Sequence, residues 1–114
     1  AAEASECAAE QGWFWPYHDM LFANQTGEGV GNFLDNRLRA FAAEGLKLDA
    51  SKFNSCFNAS KYSNVINGDI AAARQFGVSG TPTLIVPGSQ PLSGAQDYSI
   101  YKQAIEAALA AAGG

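Results

Sequence analysis

The sequence predicts an α/β chain that is mostly helical, with a block of about four or five helices over residues 1–77 and a β-hairpin plus terminal helix over 78–114. Two patterns carry this reading. Apolar residues recur every three or four positions from Trp13 to Phe76, the period of a helix that buries one face. At Val78 the period breaks, and Thr83-Leu84-Ile85-Val86 is a β-branched run closed by the turn pair Pro87-Gly88. A hydrophobic content of 47% over 114 residues is enough for one modest packed core and argues against disorder.

Taken in order, Ala1 to Gln11 is rich in alanine and glutamate, and Gly12 stops it as a helix C-cap. Such a helix without an N-terminal cap predicts that further sequence precedes Ala1. Trp13, Phe14, Tyr17, Leu21 and Phe22 form the apolar face of a second helix, with Pro16 tolerated in its first turn. Residues 26–31 are polar and glycine-rich and read as a loop. Phe33, Leu34, Leu38, Phe41 and Ala42 mark a third helix that Gly45 ends. Asp49 or Ser51 can cap a short fourth helix on which Phe53, Cys56 and Phe57 share a face. Ser60 is the expected cap of a fifth, with Tyr62, Val65, Ile66, Ile70, Ala73 and Phe76 as its stripe and Gly77 as its stop. After the strand at 83–86, residues 90–93 supply a hairpin partner. A final helix over 97–112 aligns Tyr98, Tyr101, Ile105 and Leu109.

Charge narrows the functional classes. A net charge of −4, with seven scattered Lys and Arg, leaves no basic field for nucleic acid. No apolar run approaches the roughly 20 residues needed to cross a bilayer, so no membrane span is expected. Cys7 and Cys56 are too far apart for a local redox or zinc motif, leaving either a bridge or two buried apolar side chains. Across 49 positions, a bridge would restrict the unfolded chain by roughly 4 kcal/mol and would suit an oxidising compartment. His18 is the sole histidine and has no second ligand at useful spacing; no metal or organic cofactor is implied.

The stretch Gly77-Val78-Ser79-Gly80-Thr81-Pro82-Thr83-Leu84-Ile85-Val86 resembles the second half of the thioredoxin fold, in which a cis-proline loop precedes a strand. Residues 6–12, Phe14-Trp15 and Tyr17 to Phe22 resemble the helical insert of DsbA-like thiol-disulfide oxidoreductases. Leu92-Ser93-Gly94-Ala95-Gln96 and Tyr98 resemble that family's approach to its last helix. The resemblance covers nearly the whole chain and implies an incomplete thioredoxin-like fold. Residues 1–77 would be a helical insertion domain and residues 78–114 the C-terminal portion.

It also implies a role for named residues. Gly80, Thr81 and Pro82 would hold a substrate backbone by strand addition, while Cys7 and Cys56 would form a structural disulfide. The family's Cys-x-x-Cys is absent, so no catalytic residue is expected in this chain and its own redox activity is expected to be missing. The full-length parent would form or exchange disulfides, with reduced or unfolded secreted proteins as substrates. The resemblance places it in the bacterial periplasm, cell envelope or secreted fraction. The exposed edges of two short strands predict a homo-oligomer or self-associating fragment. The alternative is a non-catalytic thioredoxin-like module for peptide binding or scaffolding.

Overall fold

The computed structural model describes residues 1–113 and divides into two compact units, Ala1–Asn67 and Gly68–Gly114. Their boundary falls inside a helix, whereas the change from helical to extended chain comes at Gly77–Val78.

The first unit is helical. It contains α1 (Ala2–Ala9), α2 (Phe14–Ala23), α3 (Asp35–Ala40), α4 (Ala50–Asn58) and the start of α5 (Ser63–Gln75). Alanines at 4 and 8 are fully buried and let α1 approach its neighbours closely, and Gly12 at φ +77° makes the reversal into α2. Asp49 caps α4 by accepting from the Lys52 N–H at 3.0 Å. Tyr17, Leu38, Phe41, Leu48 and Phe53 fill the core around the two cysteines. Burial of a side chain such as Phe53 stabilises the fold by about 2–3 kcal/mol. Beyond Ala40, α3 widens into a π-helical turn, Phe41–Gly45, closed by Leu46 N–H to Phe41 O at 2.9 Å.

In the second unit, β1 (Thr83–Leu84) pairs antiparallel with β2 (Leu92–Ser93), with Thr83 opposite Ser93 and Leu84 opposite Leu92. Gly88, at φ +81°, lies in the connecting turn. The last helix, α6, spans Tyr98–Ala111.

Four expectations are corrected. The aromatic face of α2 is buried only around Tyr17, whereas Trp13 and Phe22 are exposed, Phe22 at 67%. No residue of α5 or α6 is fully buried; Val65, Ile70, Phe76, Tyr98, Ile105 and Leu109 are exposed. Phe33 and Leu34 lie before α3 rather than on it. Ser60 does not open α5: at φ +48° it closes α4, with the Lys61 N–H reaching back to Cys56 O, and α5 starts at Ser63. A left-handed residue followed by a back-bond of that span is a C-terminal motif, so the hydroxyl at 60 has no helix start to serve.

Candidate functional site

Gly77, at φ +76°, ends α5, and the Val78 N–H returns to Ala73 O at 3.1 Å. The chain then runs through Gly80, Thr81 and Pro82, all exposed, with a cis peptide between Thr81 and Pro82. Two bonds brace this loop. Thr83 Oγ1 donates to Gly80 O at 2.6 Å, and the Gly94 N–H donates to Pro82 O at 2.8 Å. Tyr101 anchors the far side: its hydroxyl donates to Gly94 O at 2.9 Å and accepts from the Gln96 N–H at 2.8 Å. Pro82, Thr83, Leu84, Tyr98 and Tyr101 thus line an open, apolar groove of about 440 Å³. A second apolar groove of about 450 Å³ lies between Leu84–Pro87 and the Ile105, Ala108, Leu109 and Ala112 side of α6. Beyond β2, β1 has no other strand partner among the described residues.

The first unit holds the sulfur chemistry. Cys7 on α1 and Cys56 on α4 are joined by a disulfide, S–S 2.06 Å, and are 2% and 5% exposed. Beside it the end of α1 is fastened twice more. The Gln11 side-chain amide pairs with the main chain of residue 49, donating to Asp49 O at 3.1 Å and accepting from the Asp49 N–H at 2.9 Å. Glu10 Oε1 accepts from Lys61 Nζ and from the Tyr62 hydroxyl, the latter at 2.8 Å. The bond from Lys61, then that from Tyr62, holds the Glu10 carboxyl below the usual carboxylate range; the bond to Glu10 is the main cause raising both Lys61 and Tyr62. Sequence reasoning missed this cluster, because no local pattern links residue 10 to residues 61 and 62.

His18 contacts Trp15 and Phe22, and its Nδ1 lies 3.1 Å from Asp19 Oδ1. Among the described residues no group of three His, Cys, Asp or Glu is arranged to hold a metal ion.

Against known proteins, the family model described as Thioredoxin matches residues 1–107. The chain belongs to the thioredoxin family. Its fold is therefore a thioredoxin-like α/β domain, mostly helical, with a small two-stranded antiparallel sheet. Among curated proteins it is similar to the Na(+)/H(+) antiporter NhaA 3 of Salinispora tropica, 41% identical over 88 residues, which are 77% of this chain and 13% of that protein. It is likewise similar to the Na(+)/H(+) antiporter NhaA of Herminiimonas arsenicoxydans, 35% identical over 107 residues, 94% of this chain and 16% of that protein. The Na(+)/H(+) antiporter NhaA 1 of Salinispora arenicola is 39% identical over 88 residues, 77% of this chain and 13% of that protein. The thioredoxin-like chain thus spans well under a fifth of the relatives it matches. No solved structure matches it.

These relatives correct the expected partners. Reduced or unfolded secreted proteins as substrates, no membrane span, no nucleic acid and a self-associating homo-oligomer were the set that the sequence suggested. The relatives are antiporters, proteins that exchange ions across a membrane, and that partner set does not describe them. Among the described residues of this thioredoxin-family chain, no helix is long and apolar enough to cross a membrane. The composition that excluded a span reports on these residues alone.

Proposed function

We propose that this chain is a thiol–disulfide exchange module of DsbA-like layout, carried on a larger bacterial cell-envelope protein related to Na(+)/H(+) antiporters. In it, Gly80, Thr81 and Pro82 hold an extended polypeptide segment, whose backbone adds to the loop and the open side of β1 while an apolar side chain enters the groove walled by Tyr98 and Tyr101. The observation that carries this reading is the groove itself: an exposed, braced loop beside an unpaired strand edge, in a chain matched to the thioredoxin family. Residues 1–114 contain no Cys-x-x-Cys, and Cys7 and Cys56 are bonded to each other, so the reacting dithiol comes from outside these residues. The disulfide favours an oxidising compartment.

The missing dithiol also favours a second reading, a module that binds a polypeptide segment without redox chemistry. Titrating the chain with an extended cysteine-containing peptide while following backbone amide signals tests the shared part. Saturable shifts at Gly80, Thr81, Thr83 and Leu84 are expected, and shifts confined to other regions would overturn the groove. Assaying the whole gene product for disulfide exchange with the same peptide separates the two readings. Binding without exchange selects the second.

A further inference from the structure

We infer that the polar cleft of the first unit admits a small, carboxylate-bearing thiol that exchanges with the Cys7–Cys56 disulfide at the Cys56 sulfur. This site is separate from the Pro82 groove, and the inference stands or falls without it. The cleft has a volume of about 740 Å³, within the range of small-molecule sites. Cys56, 5% exposed, lines it and Cys7, 2% exposed, does not, which is why the exchange is assigned to Cys56. The reason lies in α4. Lys52 and Ala59 stand four residues before and three residues after Cys56, on the same helix face, and the small side chain at 59 leaves the floor open.

The charge of the lining selects the thiol. Lys52 and Lys61 face the cleft with a single carboxylate, Glu10, and that carboxylate is engaged by Lys61 and Tyr62. Lys52 is in no ion pair among the described residues, and the Asp49 carboxylate, which keeps its charge while capping α4, is not among the lining residues. Ser51 and Ser55 add hydroxyl donors to the wall. On a chain of net charge −4, the lining itself carries one cation in excess, the Lys52 ammonium.

The step is ordinary thiol–disulfide exchange. The incoming thiolate forms a bond to Cys56 Sγ, the Cys7–Cys56 bond breaks, and its electron pair leaves on Cys7 as a thiolate that takes a proton from water. The product carries the small thiol on Cys56. Apart from the bridge, the end of α1 is tethered by Gln11 to Asp49 and by Glu10 to Lys61 and Tyr62, contacts that hold Cys7 near Cys56 for the reverse step.

The test uses the oxidised chain with reduced glutathione, neutral 2-mercaptoethanol and cationic cysteamine, at matched thiolate concentrations. Reactions are quenched in acid and mapped by peptide mass spectrometry. Adducts are expected on Cys56 rather than Cys7. Glutathione should react roughly tenfold faster than cysteamine at low salt, with the ratio shrinking at high salt. Lys52→Glu should abolish that ratio, bringing the glutathione rate down to that of cysteamine. Adducts shared evenly with Cys7, no adduct, or a rate order indifferent to salt and to Lys52→Glu would each overturn the inference.

Discussion

Tyr17 is where the first unit closes on a polar atom. Its ring is fully buried against Phe53, and its hydroxyl donates to Leu38 O at 2.9 Å. Tyr17→Phe keeps the packing and removes the bond, so the unfolding free energy should fall by about 1–2 kcal/mol in urea titrations. Burial pushes the Tyr17 phenol above its ordinary value. The unfolded chain therefore releases this proton first, and stability is full below about pH 10 and declines as pH rises beyond it. The variant should show a shallower alkaline decline; Tyr62, raised chiefly by its bond to Glu10, keeps part of the slope. Tyr17 was legible from its three- and four-residue spacing to its neighbours. Phe22 shares that spacing yet lies exposed, because periodicity states which residues share a face and not how far the next element reaches across it.

The helices and strands answer to two kinds of signal. Where the determinant is local, the elements match their expected spans closely: α1 with its glycine stop, α4 with Asp49, and α6, displaced by one residue at each end. Where an edge depends on pairing, they differ. β1 covers two residues because Ile85 and Val86 make no ladder pairing, and Val86 opens the turn in which the Ser89 N–H returns to Val86 O. The resemblance pointed to a Cys7–Cys56 bridge from α1 to α4, but the contacts of Glu10 with the α4–α5 turn, across a sequence separation of 51, were not legible. Those contacts carry their own pH dependence. The Glu10 carboxyl is depressed in the folded state, first by Lys61 and then by Tyr62, so its contribution is present above the ordinary carboxylate range and lost as pH falls through the lowered value. Glu10→Gln should therefore flatten the acid limb of a stability profile taken between about pH 2 and pH 6. An unchanged limb would show that the carboxylate contributes nothing there.

For the molecule as a whole, the order of a helical block followed by strand, turn and helix indicated a mostly helical α/β chain, and the resemblance carried by Gly77 to Val86 indicated the thioredoxin-like fold. The kinship with antiporters was not indicated, because among the described residues no helix is long and apolar enough to cross a membrane, and composition speaks only for the residues it counts. Nor did the residues Gly80 to Pro82 announce the tyrosine walls at 98 and 101, which come together only once α6 returns to the hairpin. The bridge also acts at this scale. Reducing it should lower the unfolding free energy by about 4 kcal/mol in the loop-entropy picture, read as a drop in the denaturation midpoint with and without a strong reductant. The same bridge places everything from residue 7 to residue 56 on one covalent ring. A protease that nicks the glycine-rich loop before α3 would therefore release no piece: the severed ends would stay on the same molecule, and a single cut would pass unnoticed until the sulfurs were parted.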